Sequence, residues 1–250
     1  MTFLDKKDIS SLLPEELCEY LSALSESTGV KIEKYRASQI FSWLVKGAAD
    51  FSEMGNIPKN IKAVLEENAY ITLPQIQTKL VSKIDGTVKY LFRLHDGECI
   101  ESVFMRYEHG NTLCISSQAG CRMGCTFCAS TLNGLSRNLL PSEMTGQVIA
   151  AQKDLGEKVS NIVMMGIGEP LDNYDNVKKF LTLVNCPDGL NIGLRHISLS
   201  TCGLCDKIRA LADENLLITL SISIHVSDSE TRKLLMLVAR KVELEELMDA

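Results

Sequence analysis

The apolar positions change period twice along the chain. In the first 70 or so residues they recur at helical spacing. Leu17, Leu21 and Leu24 follow Pro14 and stop at Gly29; Ile40, Phe41, Leu44 and Val45 stop at Gly47; Ile61, Val64 and Leu65 follow Pro58. Three short helices with a shared core are predicted. From about residue 77 the period drops to two. Val88, Tyr90, Phe92 and Leu94 alternate after the turn Asp85-Gly86, and Glu101, Val103, Met105 and Tyr107 alternate after Asp96-Gly97. Leu113 to Ser116 reads as a strand. Strands and helices then alternate: a helix from Ser142 (as N-cap) to Lys153, an apolar strand of the fully buried type from Val159 to Met165, and a helix from Tyr174 to Val184. A strand at His196–Ser200, a helix at Asp206–Asn215, a strand at Leu217–His225 and a helix at Ser229–Leu237 complete the series. Such units build a parallel sheet with crossover helices. About four units predict an α/β fold, either an open sheet or a (β/α) barrel cut short. The expected organisation is a helical domain at 1–75, a β region at 76–111 and a partial barrel at 112–250. The chain ends in a helical pattern with no stop signal and is expected to be truncated.

Composition narrows this picture. A chain of 250 residues with 45% hydrophobic residues can bury a sizeable core. The start has no apolar leader, and no apolar run approaches the ~20 residues of a membrane span. A cytoplasmic protein with no membrane partner is expected. Nine cysteines in a reducing compartment mean metal or catalysis rather than a disulfide framework. The net charge of −6 argues against nucleic-acid binding over the whole surface and leaves room for a local basic footprint.

Cys121, Cys125 and Cys128 are spaced C-x3-C-x2-C, with Cys114 upstream and Gly120 and Gly124 inside the run. Three thiolates are one short of the four that close a structural zinc site or an electron-transfer iron–sulfur cluster. A cubane held this way keeps an open iron, as catalysis needs. A partial zinc site and chance spacing are the alternatives. In α/β folds chemistry gathers where parallel strands end. The strand ends here carry Gly168 and Glu169, then Ser200, then Ser223, Ile224 and His225. The glycines let backbone approach a ligand, and hydroxyls and a histidine suit ribose and purine hydrogen bonding. Alone, the glycine stretch reads as an ordinary βα turn and His225 as structural; the succession of four strand ends, the cysteine loop first, is what points to a site.

The cysteine spacing, with Phe127 before the last thiol, resembles the radical S-adenosylmethionine (SAM) signature. Glu101 to Cys114, Ser117 to Cys121, Cys125 to Thr131, Leu135 to Leu139, Met164 to Pro170 and Asn191 to His196 resemble the RlmN family. The similarity runs from about residue 35 to about 235. It implies a radical-SAM methyltransferase acting on adenine carbon 2, in 23S rRNA and in tRNA beside the anticodon. It implies an N-terminal helical RNA-contacting domain, a short β region and a partial (β/α) barrel. It implies a [4Fe–4S] cluster on Cys121, Cys125 and Cys128, and SAM held by Gly168, Glu169, Ser200, Ser223, Ile224 and His225. Glu101 would take the proton from the adenine carbon. Cys114 would resolve the protein–RNA crosslink left by a methyl-carrying cysteine. An electron donor such as flavodoxin or ferredoxin and a monomeric state are expected.

The sequence departs from the family pattern in three ways. The methyl-carrying cysteine, and a late SAM-contacting asparagine, would lie beyond Ala250. The chain as given is therefore expected to cleave SAM unproductively and leave RNA unmethylated. Ser200-Thr201-Cys202-Gly203 stands where Ser-Thr-Ser-Gly is usual. Val226-Ser227-Asp228 and Leu237-Val238-Ala239 replace Ala-Pro-Asn and Pro-Ile-Asn. The alternatives are a non-catalytic iron–sulfur or RNA-binding remnant and a Cfr-type enzyme acting on adenine carbon 8. Cys202 and Cys205 form a C-x2-C pair but are not expected to bind metal.

Overall fold

A computed structural model describes residues 6–250. The first five residues, on which the expectation about a leader partly rests, lie outside the described residues. The helical module has its own apolar core. Helix α1 (Pro14–Thr28) turns Leu17, Leu21 and Leu24 inward. Pro14 takes the first turn, where its missing N–H is no loss, and Gly29 stops the helix at φ 70°. Helices α2 (Tyr35–Val45) and α3 (Lys59–Asn68) bury the stripes read from the sequence. Ile9, Phe51 and Met54 fill the space between them. Strands β1 (Lys7–Asp8) and β2 (Ala69–Tyr70) pair and bring the module's two ends together.

The other strands are β3 (Gln75–Val81), β4 (Val88–Arg93), β5 (Cys99–Met105), β6 (Thr112–Cys114), β7 (Gln118–Gly120), β8 (Leu135–Asn138), β9 (Asn161–Met164), β10 (Ile197–Thr201) and β11 (Thr219–Ile222). Seven of them form one sheet in the order β11-β10-β9-β6-β5-β4-β3. Strands β6, β9, β10 and β11 run parallel, and β3 to β6 pair antiparallel. The β region is thus hydrogen-bonded edge-on to the parallel half. Helices α4 (Pro141–Leu155), α5 (Tyr174–Asn185) and α6 (Cys205–Asp213) make the crossovers, and α7 (Ser229–Leu235) and α8 (Leu244–Asp249) follow β11. Four parallel strands with their helices on one face form half of a (β/α) barrel. No helix among the described residues is long and apolar enough to cross a membrane.

Three expectations change. Helix α4 begins at Pro141 with Leu140 as N-cap, so Ser142 lies inside the first turn. Glu143 satisfies the Leu140 N–H at 2.8 Å, and the Ser142 hydroxyl reaches Asp8 at 2.5 Å, tying the helical module to the sheet domain. In β5 the residues pointing to the core are Ile100, Ser102 and Phe104; Glu101, Val103 and Met105 face the other way. In β9 only Ile162 and Met164 are buried, so it is not a strand covered on both sides. The reason is common to both strands. Helices cover one face of the sheet and leave the other open.

Candidate active site

The open face gathers the polar positions. Register places Val103 beside Cys114, Cys114 beside Val163, Val163 beside Ser198, and Ser200 beside Ser221. Because side chains alternate along a strand, Glu101 shares this face with Val103. Ser198 and Ser221 place their hydroxyls 3.2 Å apart, and so do Ser200 and Ser223. The Glu101 carboxylate accepts from Lys89 at 2.8 Å rather than from any residue of the cysteine loop. Cys114 is half-buried, and burial pushes its thiol up against a weaker opposing hydrogen bond from the Met165 backbone.

Strand β6 delivers the chain to β7, the cysteine loop and β8. Gly120 is required where β7 meets β8: its φ is +76°, and a Cβ would stand 2.1 Å from the Gly134 carbonyl oxygen. The Cys121 N–H then donates to that same carbonyl at 2.9 Å. Cys121 is buried, Cys125 and Cys128 are half-buried, and all three are free thiols. Burial pushes Cys121 and Cys125 up, the neighbouring thiols and Glu169 add to this, and Arg232 works against it at Cys125. Among the described residues no group of three or more His, Cys, Asp or Glu converges closely enough for a single metal ion. One zinc would need its sulfurs within about 2.3 Å of a common point. Three free, soft thiols on one curled loop that do not converge on a single point have the donor chemistry of an iron–sulfur cluster rather than of one zinc ion.

Polar residues that the sequence reading passed over hold this loop. Gln118 Nε2 donates to Asn138 Oδ1 at 2.7 Å and to Asp172 Oδ2 at 2.9 Å, and Arg122 pairs with Asp172. Asn173 Nδ2 donates to the carbonyls of Ser117 and Leu139. Their signal in the sequence is slight: polar side chains next to the motif, with no spacing of their own.

Gly166 to Glu169 form the next strand end. The Ser117 and Gln118 amides donate to the Ile167 carbonyl at 2.9 and 3.2 Å. Gly168 has φ +106°, and a Cβ there would lie 2.6 Å from the Gln118 Cβ. Glu169 is buried; its carboxylate accepts from the Leu171 N–H at 3.0 Å and the Cys202 N–H at 2.8 Å, and burial raises its pKa. Those oxygens therefore already tie two strand ends together. The Cys202 thiol is also hydrogen-bonded to Glu169, and burial pushes its pKa far up. Cys205 is buried elsewhere, its Sγ 3.9 Å from the Gly203 carbonyl. At the last strand end Ser223, Ile224 and His225 leave the sheet. His225 takes φ 64°, and its ring packs on Phe127 of the cysteine loop with centroids 4.6 Å apart. The structure thus joins Ser200 to Ser223, His225 to the cysteine loop and Glu169 to Cys202. Glu101 and Cys114 lie on the same open face as Ser200, on strands β5 and β6.

Two family models match the chain. The radical SAM superfamily matches residues 115–250, and the ribosomal RNA large subunit methyltransferase N-terminal domain matches residues 8–71. A probable dual-specificity RNA methyltransferase RlmN of Clostridium novyi is 53% identical over 98% of this chain and 70% of its own length. Its namesake in Clostridium tetani is 54% identical over 88% of this chain and 63% of its own length. The crystal structure of a radical SAM methyltransferase from Sphaerobacter thermophilus superposes with a TM-score of 0.88 at 36% identity, covering 97% of this chain and 71% of that one. The matches cover both the helical module and the half-barrel, and they agree with the motifs around the cysteine loop. This chain belongs to the RlmN family of radical SAM proteins.

Proposed function

We propose that this chain carries the catalytic core of an RNA methyltransferase acting on carbon 2 of adenosine, in 23S rRNA and in tRNA beside the anticodon. One observation carries the reading. The three-cysteine loop sits where β6 delivers it, in contact with His225 and on the same rim as the Ser200–Ser223 pair, beside an open sheet face that holds Glu101 and Cys114. Membership of the family brings a [4Fe–4S] cluster and SAM. Cys121, Cys125 and Cys128 would hold the cluster. Bound together, cluster and SAM supply the one-electron chemistry that an unactivated aromatic C–H demands.

The remaining roles belong to the chain's own residues. Gly168, whose missing Cβ lets this strand end pack on Gln118, would present its backbone to SAM, and Glu169 fixes the strand ends that frame it. The Ser200 and Ser223 hydroxyls offer paired hydrogen bonds to a ribose. Ile224 and His225, whose ring packs on Phe127, would contact the adenine of SAM. Glu101 accepts the proton from the adenine carbon, and Lys89 holds its carboxylate in place. Cys114 waits as a thiol, because burial disfavours its charge. Once it loses its proton, its sulfur would attack the sulfur of the methyl-carrying cysteine, forming the S–S bond as the S–CH2 bond breaks. The electron pair leaves on the methylene carbon of the base, which then takes up a proton. The target adenosine has to leave its stack to reach the open face. The helical module of residues 1–75 would contact the RNA, and a flavodoxin or ferredoxin would supply the electron to a monomeric enzyme.

The test is expression of the gene in cells that lack 2-methyladenosine, followed by mass spectrometry of nucleosides from 23S rRNA and tRNA. Appearance of 2-methyladenosine in both is expected where the expressed gene also supplies the methyl-carrying cysteine. Appearance of 8-methyladenosine instead would move the chemistry to the other adenine carbon. Unmodified RNA would leave a fold that holds its cofactors without turnover.

A further inference from the structure

Arg232 is a buried charge with no ion pair or hydrogen bond to an anion among the described residues. It lies in α7 and is 1% exposed. Its Nη2 donates to the Cys202 carbonyl at 3.0 Å, while Nε and Nη1 are buried without a hydrogen-bond partner among the described residues. A guanidinium cannot shed its charge, so burial without an anion is strongly unfavourable. The acidic groups nearby are engaged. Glu169 accepts from the amides of Leu171 and Cys202. Asp228 caps α7 by accepting from the Thr231 N–H at 2.7 Å.

The segment that carries Arg232 lies against the cysteine loop. The Thr126 N–H donates to the Leu235 carbonyl at 2.9 Å. Gly124 leaves room for Leu237, whose Cδ1 would be 2.3 Å from a Cβ at that position. Met123 and Cys125 pack on the cluster of Cys202, Met236, Val238 and Ala239. The segment from Arg232 to Ala239 is therefore a cover on the loop, and it carries a buried cation whose hydrogen-bond partner is the carbonyl of Cys202, a residue of the apolar cluster on which Cys125 packs.

We propose that Arg232 is the counter-charge of the iron–sulfur cluster, a positioning residue that favours the cluster's reduced state through its field. The proposal rests on the reading of the three-cysteine loop as the cluster's seat. An oxidised cubane on three thiolates is a monoanion, and one added electron makes it a dianion. No proton moves. A fixed buried cation attracts the dianion more strongly, and net charge and burial are among the levers that set such potentials.

The test uses the full chain reconstituted anaerobically with iron and sulfide. It is titrated with dithionite in the absence of SAM, and reduced cluster is read by electron paramagnetic resonance. Wild type, Arg232→Gln and Arg232→Lys are compared, with iron counted in each. Arg232→Gln should keep its iron and hold about tenfold less reduced cluster at a fixed potential, a shift of about 59 mV for a one-electron couple. Arg232→Lys should stay near wild type. An unchanged midpoint in Arg232→Gln overturns the proposal; if SAM binding alone weakens in that variant, the residue anchors the SAM carboxylate instead. Equal shifts in both variants overturn it too, because packing and not charge would be responsible. Should Arg232→Gln lose its iron, the lysine variant decides: iron at the wild-type midpoint supports the counter-charge, and loss of iron overturns it. A wild-type chain that binds no iron removes the cluster seat itself, an outcome distinct from a loaded cluster with an unmoved midpoint.

Discussion

The two faces of the seven-stranded sheet have opposite roles. One face turns Ile100, Phe104, Leu113, Ile162, Met164, Ile197 and Leu199 into a buried core shared with α4, α5 and α6. The other turns Glu101, Cys114, Ser198, Ser200 and Ser221 toward an open side. Stability and chemistry are thus one residue apart along every strand. A register slip of one position would exchange them. The apolar face is therefore what fixes the polar one, since its burial leaves the strands one way to sit.

The largest effect should come from the loop that borders both faces. Replacing Cys121, Cys125 or Cys128 by Ala should take iron from about four per chain to background in anaerobically reconstituted protein. Cys114→Ala, on the open face, should keep its iron; loss of iron there would make Cys114 part of the loop's chemistry and undo the separation.

The next test compares neighbours. Phe104→Ala should cost about 3–5 kcal/mol in a urea titration, because it empties a fully buried site. Val103→Ala, one residue away on the open face, should cost less than about 1.5 kcal/mol. Equal costs would mean that the open face is packed as tightly as the core. Ser116→Ala should fall between these. Its hydroxyl donates to the Glu101 carbonyl at 2.6 Å and accepts from the Ile167 N–H at 3.0 Å, so a loss of about 1–3 kcal/mol is expected from the same titration. The smallest effect belongs to Ser198→Ala. Its hydroxyl pair with Ser221 is half-exposed, and a change within about 0.5 kcal/mol is expected. A larger loss would show that the serine ladder holds the sheet together as well as facing a ligand.

What could be read beforehand follows from the range of the forces involved. Helices α1 to α3 were legible because each has a local stripe and a local stop, as with Leu17, Leu21, Leu24 and Gly29. The cysteine motif was legible because its spacing is local too. The phase of β5 was not, since Val103 and Met105 are as apolar as Ile100 and Phe104, and only pairing with β4 and β6 decides which set is covered. Ser142 looked like a helix cap because its partner, Asp8, is 134 positions away. The hold of Gln118 on Asp172, across 54 positions, was hidden for the same reason. Arg232 was missed because a charge in an amphipathic helix is ordinarily on the wet side, and no pattern of apolar neighbours marks the exception.

The bond between Thr126 and Leu235 has a consequence for the order in which the protein is made. Its partners are 109 positions apart, so the loop is synthesised well before the cover that closes over it. At about 5–20 residues per second, the interval is on the order of 5–20 s. During that time Cys121, Cys125 and Cys128 emerge without Arg232, Met236 or Leu237 to shield them. Iron and sulfide delivered in that interval would meet an uncovered loop; delivered later, they would have to enter beneath a finished lid. Biosynthesis itself sets a window for cofactor loading, and the length of chain between the loop and its cover sets how long that window stays open.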